Sequence, residues 1–257
     1  MLLARTSSGV VSLREYESGG DPAPRQAQMR VRSLQQQEHR PHHSLVTGVI
    51  LAGGQSRRMG GGDKGLLQIG GQPMLAHVVC RFRPQVGSLV INANGDPSRF
   101  ASLGLPVVPD TIGGFVGPLA GLHAGMRWSQ ANAPGARWVA TAAADAPLLP
   151  PDLVANLMDA VAEHPDEIAL AKSNGEVHPV IGLWPVALAD DLEEQLGKGV
   201  RKVLHWTERH RTAIVPFEPV RVCGLDIDPF FNANTPPELD QLRAMLAKTS
   251  NSLKSLS

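Results

Sequence analysis

A chain of 257 residues is long enough for one large domain or two small ones and, when compact, buries about three-quarters of its unfolded surface. Hydrophobic residues make up 42% but aromatics only 4%, so the core is aliphatic and there is little material for stacking on nucleic-acid bases. Lys plus Arg equal Asp plus Glu at 24 each, which excludes a global field for nucleic acid or acidic membranes, and no run of about 18 apolar residues is present to span a bilayer.

The first 45 residues are rich in Gln, Arg, Ser and Pro and show no sustained period of 2 or 3.6, so they are expected to be a disordered tail. Met1-Leu2-Leu3-Ala4-Arg5 runs at once into Thr6, Ser7 and Ser8, too short an apolar block for a secretory signal. Its arginines suit an organelle address, but Glu15, Glu17 and Asp21 count against one. The pair His42-His43 reads as solvated rather than as a metal ligand.

From Val46 the texture changes to short β-rich runs alternating with helical patterns, the signature of a mostly parallel sheet covered by helices. Val46 to Leu51 is the first strand. After a glycine-rich loop, Leu75, Val78, Val79 and Phe82 fall at i, i+3, i+4 and i+7, which predicts an amphipathic helix from Pro73 to about Arg83, started by its proline. Leu89-Val90-Ile91 forms the second strand and ends at Asn92-Ala93-Asn94-Gly95. Leu105 to Val108 forms the third and ends at Pro109-Asp110, and a helix from about Pro118 to Trp128 follows. Trp138 to Ala144 forms the fourth and runs straight into Asp145. Ligands of open α/β sheets bind beyond the carboxyl ends of the strands, so Asn92, Asp110 and Asp145 belong to one crevice with the glycine-rich loop.

Val154, Leu157, Met158 and Val161 give the next helix its buried face. Ile168 to Ala171 and Val180 to Trp184 read as strands around the turn Ser173-Asn174-Gly175, a hairpin signal. Helical segments are expected at Val186 to Gln195 and Val200 to Arg209, and an edge strand at Ala213 to Phe217, where Pro216 is tolerated. Thr235-Pro236-Pro237-Glu238 carries a capping box ahead of a helix with Leu239, Leu242 and Leu246 on its apolar stripe. Residues 249–257 are expected to fray. Cys80 and Cys223 have no metal-ligand spacing, fit a reducing compartment and read as buried small hydrophobes.

The loop after the first strand holds the densest chemistry. Gly53, Gly54, Gly60, Gly61 and Gly62 allow main-chain N–H groups to approach an anion, and Arg57, Arg58 and Lys64 add positive charge. Glycine content alone fits a triphosphate clamp or a solvated surface loop equally. A P-loop requires Gly-Lys followed by Ser or Thr, whereas Asp63 precedes Lys64 and Gly65 follows it. Gly60-x-Gly62-x-x-Gly65 matches the dinucleotide fingerprint by letter, but starts nine residues past the strand and does not lead into a helix.

The fuller pattern, Leu51-Ala52-Gly53-Gly54-x-Ser56-x-Arg58-Met59-Gly60 followed by Asp63-Lys64, resembles the nucleotidyltransferases that activate sugars, cytidine-linked precursors and molybdopterin. It is most similar to the molybdenum cofactor guanylyltransferases. That similarity extends through Asp63-Lys64-Gly65-Leu66-Leu67, Asn92-Ala93-Asn94, Gly117-Pro118-Leu119-Ala120-Gly121, Asp145-x-Pro147 and Asn232-Ala233-Asn234-Thr235-Pro236, in order from Val46 to about Lys248. The tail before Val46 has no counterpart in it. The resemblance implies an α/β, three-layer α-β-α sandwich with a mostly parallel, Rossmann-like sheet, and a single domain over 46–248. Within it, 46–147 would bind GTP and 148–248 molybdopterin.

The same resemblance implies attack by the terminal phosphate of Mo-molybdopterin on the α-phosphorus of GTP, with Mg2+ as cofactor and pyrophosphate leaving. Leu51, Ala52, Gly53, Gly54, Lys64, Asn92, Asp110 and Asp145 would contact GTP. Lys64, supported by Arg58, would neutralise the leaving pyrophosphate. Asp145 would hold the metal, since magnesium takes one or two carboxylates plus phosphate oxygens and water; its alternative is a turn or cap before Pro147. Asp110 would read guanine, whose N1–H and N2–H₂ donors suit a carboxylate, or would instead bind ribose or a loop amide. Asn92 is placed for ribose or base.

Asn232 and Asn234 would lie near the second substrate or the metal, or serve as turn and cap residues. His178 would help hold the pterin or hydrogen-bond against the core. A monomeric cytoplasmic enzyme is expected, with no nucleic-acid or membrane partner and with transient contact to molybdoenzymes or their chaperones. Rival readings are the cytidylyltransferase acting on the same pterin, with Leu-Ala-Ala-Gly where this chain has Leu51-Ala52-Gly53-Gly54, a sugar-phosphate nucleotidyltransferase, and a catalytically silent nucleotide carrier or regulator.

Overall fold

The computed structural model describes residues 3–6, 9–12, 43–53, 63–113, 117–222, 224–232, 235 and 237–244. The chain divides into two units, Met1–Pro41 and His42–Ser257. In the first, β1 (Leu3–Thr6) and β2 (Gly9–Ser12) pair antiparallel, with Thr6 opposite Gly9 across two residues of sequence. No period marks these two strands in the sequence. Strands of four residues are too short to display a period, which is why none was visible.

The second unit is built on a seven-stranded sheet. In chain order its strands are β3 (Val46–Leu51), β6 (Ser88–Asn92), β7 (Val107–Val108), β8 (Trp138–Ala143), β9 (Ile168–Ser173), β10 (Glu176–Pro185) and β11 (Thr212–Pro216). Their spatial order is β11-β9-β10-β8-β3-β6-β7, and β10 alone runs antiparallel to its neighbours. The chain therefore winds outward from β3 through β6 to β7 and then restarts on the other side of β3 with β8. That reversal between β3 and β8 is a topological switch point, where α/β sheets open a crevice for ligands.

Helices cover both faces. α1 (Met74–Phe82) and α3 (Leu153–Ala160) lie on one; α2 (Pro118–Asn132), α4 (Ala189–Gly197) and α5 (Val203–Thr207) lie on the other. The strands alternate between the two cores. Ile50, Ile91, Ala140 and Leu183 pack with Leu75, Phe82 and Leu157, while Val49, Val90, Val139 and Trp184 pack with Leu122, Met126 and Trp206. Both cores being apolar, the strands read as continuous hydrophobic runs, as expected of a sheet buried on both sides.

Some expected boundaries shift for identifiable reasons. Pro73 does not begin α1 but closes a two-residue hairpin, β4 (Gln68–Ile69) against β5 (Gln72–Pro73), and caps α1 with extended backbone. Cys80 is exposed rather than buried, because it lies opposite the Leu75, Val78 and Phe82 stripe; Cys223 is outside the described residues. The third strand shortens to Val107–Val108. The turn Asn174-Gly175, with φ of 47° and 83°, joins β9 to β10 as a tight hairpin, and β11 is a parallel edge strand with Pro216 at its end.

A third apolar cluster seats the C-terminal segment. β12 (Val220–Val222) pairs with β13 (Leu225–Ile227), and Ile227 packs with Ile69, Met74 and Leu148 against Leu239 and Leu242 of α6 (237–244). The capping box forms as read: Glu238 N–H donates to Thr235 Oγ1 at 3.4 Å, and Thr235 N–H donates to the Glu238 carboxylate at 2.8 Å. Leu246 lies outside the described residues.

Candidate active site

Parallel strands in register bring their carboxyl ends to one line. Val108 of β7 is level with Asn92 of β6, Asn92 with Leu51 of β3, and Leu51 with Ala143 of β8. Asp110 and Asp145 each follow that line by two residues, at opposite ends of it. The span from β7 to β8 is three strand spacings, roughly 14 Å.

At the β8 end, Lys64 Nζ donates to Asp145 Oδ2 at 2.6 Å, with the side chains 11% and 21% exposed. Lys64 begins a 3₁₀ turn, Lys64–Leu66, held by Leu66 N–H to Asp63 O and Leu67 N–H to Lys64 O. Gly65 presses this turn against the main chain just ahead of Asp145: a Cβ there would lie 3.2 Å from Ala144 Cβ and 3.4 Å from both Ala144 O and Leu75 Cβ. The glycine thus allows the lysine to reach the carboxylate.

Between β6 and β8, Ala52 N–H donates to Asn92 O and Leu51 O accepts from Ala144 N–H, so the main chain of Leu51 and Ala52 carries the ladder to the end of both neighbouring strands. Gly53 follows and is exposed. Gly54 and Arg58 lie outside the described residues.

At the β7 end, Asp110 is held by two asparagines. Asn92 Nδ2 donates to Asp110 Oδ1 at 2.9 Å and to Val108 O at 3.1 Å. Asn94 Nδ2 donates to Asp110 Oδ2 at 2.8 Å, and Asn94 Oδ1 accepts from Asp110 N–H at 2.9 Å. Each carboxylate oxygen keeps acceptor capacity beyond these bonds. Asn92 itself is 3% exposed and spends both amide hydrogens inside the protein. Its Nδ2 thus orients Asp110, while its Oδ1 lies beside the glycine-rich loop, 3.8 Å from where a Cβ of Gly53 would be. Gly121 of α2 makes room for it, since a Cβ there would fall 2.1 Å from Asn92 Oδ1.

On the other side of β8, the antiparallel β10 starts where β8 ends, which puts His178 at the same sheet edge as Asp145. His178 Nε2 and Ser173 Oγ are 2.6 Å apart, and Ser173 Oγ donates to Asp228 Oδ1 at 2.7 Å. Asn174 Nδ2 donates to Asp228 Oδ2 and Phe230 N–H to Asp228 Oδ1, while the His178 and Phe230 rings lie 4.7 Å apart. Burial holds the His178 imidazole below its usual pKa, against the opposing pull of Asp228 and Glu176, and because Ser173 Oγ spends its hydrogen on Asp228 it accepts from His178 Nε2–H. Asn232, exposed, follows this segment by a few residues; Asn234 is outside the described residues.

Four participants escaped the sequence reading. Arg99 pairs with Asp63, Asn94 braces Asp110, Asp228 anchors the hairpin tip, and His123 of α2 is bonded at Nδ1 to Thr111 Oγ1 at 2.8 Å. Only Asn94 had a signal, its repeat of Asn92 two residues on. Among the described residues no group of three or more His, Cys, Asp or Glu is placed to hold a metal, and no helix is long and apolar enough to cross a membrane.

The family model described as the MobA-like NTP transferase domain matches residues 48–213, from the first sheet strand through the edge strand. A molybdenum cofactor guanylyltransferase of Bradyrhizobium sp. (strain ORS 278) is 49% identical over 205 residues, covering 79% of this chain and 94% of its own. One from Rhodopseudomonas palustris (strain BisB5) is 46% identical over 81% of this chain and 97% of its own. Among solved structures, the molybdopterin-guanine dinucleotide biosynthesis protein A of Archaeoglobus fulgidus superimposes with a TM-score of 0.61 at 22% identity, over 79% of this chain and 99% of that one. A Mycobacterium tuberculosis protein solved with manganese shares the fold at a TM-score of 0.52 and 18% identity, over 78% of this chain and 98% of that one. With its family match spanning the strands that build the crevice, and curated relatives covered almost end to end, this chain belongs to the molybdenum cofactor guanylyltransferases.

Proposed function

We propose that this protein transfers GMP from GTP to the terminal phosphate of Mo-molybdopterin. A pterin phosphate oxygen forms a bond to the α-phosphorus while the bond from that phosphorus to the bridging oxygen breaks, and pyrophosphate leaves. The observation that carries the reading is one sheet edge with a cation–carboxylate pair at one end and a braced carboxylate at the other. Such a line suits an extended nucleoside triphosphate, its phosphates at Lys64 and Asp145 and its base at Asp110.

Residue roles follow from position. Lys64 would meet the negative charge that grows on the leaving pyrophosphate, with Arg58 and the main chain of Gly53 and Gly54 in support. Asp110, oriented by Asn92 and Asn94, would accept from guanine N1–H and N2–H₂. Leu51 and Ala52 would set the depth at which the nucleoside lies. Asp145 fits a magnesium site that draws one ligand from the protein and the rest from the triphosphate and water, because no denser acidic cluster occurs among the described residues. Magnesium, when bound, would offset charge on the phosphate oxygens. Cytidine lacks the paired donors that Asp110 suits, which disfavours the cytidylyl alternative.

The strands carrying these groups lie within 46–147. His178, Asn232 and Asn234 come from 148–248, and we assign that half to the pterin. The working form is a cytoplasmic monomer whose product passes to molybdoenzymes or their chaperones. Incubating the purified protein with Mg2+, Mo-molybdopterin and either GTP or CTP tests the reading: guanine dinucleotide and pyrophosphate are expected with GTP, and product from CTP alone, or from a sugar phosphate instead of the pterin, overturns it.

A further inference from the structure

We infer that Arg99 is a positioning residue that ties the base-recognition end of the crevice to the lysine that faces the phosphates. The inference rests on the guanylyl-transfer reading for its chemistry and on separate geometry for its bridge. Arg99 belongs to the 3₁₀ helix Pro97–Leu103, which leaves β6 after the turn at Gly95. Its Nε lies 3.0 Å from Asp63 Oδ2, and its Nη2 donates to the main-chain carbonyl of Asn94. One guanidinium therefore links the residue directly before Lys64 to the residue whose side chain grips Asp110 from both sides.

The arginine is itself held in place. Its guanidinium carbon sits 4.9 Å from the ring centroid of Phe100, which is 1% exposed, so the helix is pinned to the core beneath the bridge. Asp96 caps the helix, its carboxylate accepting from Ser98 N–H at 2.9 Å and from Ser98 Oγ at 2.6 Å. Gly95, at φ 85°, makes the turn that no L side chain adopts readily, and a Cβ there would lie 3.7 Å from Arg99 Nη1. Each of these features fixes the fork, and the fork joins the two loops.

The charge matters as much as the tether. Asp63 is 17% exposed and lies one residue from Lys64, so without Arg99 its negative charge would face an incoming triphosphate unneutralised. Arg99 is the matched cation, and a lysine could satisfy Asp63 or the Asn94 carbonyl but lacks the planar fork for both.

The test is a cycle of Arg99→Ala, Asp63→Asn and the double variant, with Arg99→Lys beside them, read as kcat and KM for GTP and as thermal midpoint. Because the two single changes break one bond from opposite ends, each is expected to lower kcat/KM by about tenfold or more through misplacement of Lys64, and the double variant to be no worse than Arg99→Ala alone. Arg99→Lys is expected to fall between wild type and Arg99→Ala. Losses that multiply in the double variant, or kinetic constants that stay unchanged while the thermal midpoint falls, overturn the bridge. The wild-type protein assayed with GTP and CTP separates the two claims: if it uses CTP, the guanylyl reading fails, and the same cycle is then read with CTP.

Discussion

Lys64 and Asp145 meet at 2.6 Å although 81 residues separate them, because the turn that starts at Lys64 packs through Gly65 onto Ala144. The ammonium and the carboxylate form a direct, largely buried ion pair. In the proposed reaction a triphosphate with its metal would supply replacements for both partners, so the pair would exchange into substrate contacts without leaving a charge stranded.

Replacing Lys64 by Ala is therefore expected to cut turnover by about 10²- to 10³-fold at saturating GTP, the usual loss when one electrostatic contact to a developing charge is removed. Pyrophosphate release measures it directly. Turnover within a few-fold of wild type would remove Lys64 from the machinery.

Asp145→Asn keeps the shape of the side chain and an acceptor for Lys64 but removes the charge. Half-saturation by Mg2+ is expected to move to much higher concentration, with lower turnover at every concentration. Titration of activity with Mg2+ checks this, and an unchanged titration curve would reassign Asp145 to a structural turn.

Asn92→Ala separates bracing from contact. Val108 O and Asp110 Oδ1 both lose a donor, and Asn92 is buried, so unfolding free energy should drop by about 1–3 kcal/mol. GTP affinity should weaken with it, because Asp110 is no longer held on the β6 side. Gly121→Ala attacks the same point sterically: its Cβ would lie 2.1 Å from Asn92 Oδ1 and 2.9 Å from Leu51 Cδ2. Overpacking of this kind costs about 1–3 kcal/mol, and the same GTP weakening is expected. Denaturant melts and GTP titrations of both variants check the link; destabilised variants with unaltered GTP affinity would break it.

What could be read from the sequence was what alternation and strand ends dictate. Asn92, Asp110 and Asp145 each follow an apolar run, and parallel strands must present their carboxyl ends on one edge, so their meeting was foreseeable. The capping box at Thr235 carries its own spacing. By contrast, β4 and β5 are two residues each and leave no period, and Arg99 gains its partners only when a 3₁₀ helix folds back on Asn94. The burial of Asn92 was hidden for a related reason: its amide is consumed by a neighbouring strand and by the aspartate two residues beyond that strand, and only the register of β6 on β7 reveals that. His123 sits among Leu119, Leu122 and Met126 in the apolar first half of α2, where no local pattern distinguishes a buried polar link from an outward-facing one.

That histidine yields the last prediction. His123 is 2% exposed, bonded to Thr111 Oγ1 at Nδ1 and receiving Arg127 Nε–H at Nε2, while Arg127 also pairs with Asp190 and Glu193 of α4. Burial first, and then the Arg127 charge, hold its pKa below the ordinary value, against the pull of Glu193 and Asp190; burial does the same to His178. In the unfolded chain both titrate near 6.5. Below that pH the unfolded state takes up protons that the folded state refuses, so stability must fall as pH drops from about 6.5 through the lowered folded values, by at most about 1.4 kcal/mol per pH unit for each histidine. Above 6.5 the slope fades as the unfolded imidazoles lose their protons and is nearly gone by about pH 7.5. Asp191 and Glu193, whose folded values are also lowered, lose their contribution only near and below the ordinary carboxylate range, so the window from about pH 5 to 6.5 isolates the histidines. Urea unfolding of wild type at pH 7.5, 6.5 and 5.5 should show the decline, and His123→Gln, which still offers Arg127 an acceptor, should make it shallower and leave the share of His178. A wild-type protein equally stable at all three values would mean that His123 and His178 accept protons in the folded state as readily as in the unfolded one, and the neutral Thr111–His123–Arg127 link would not stand.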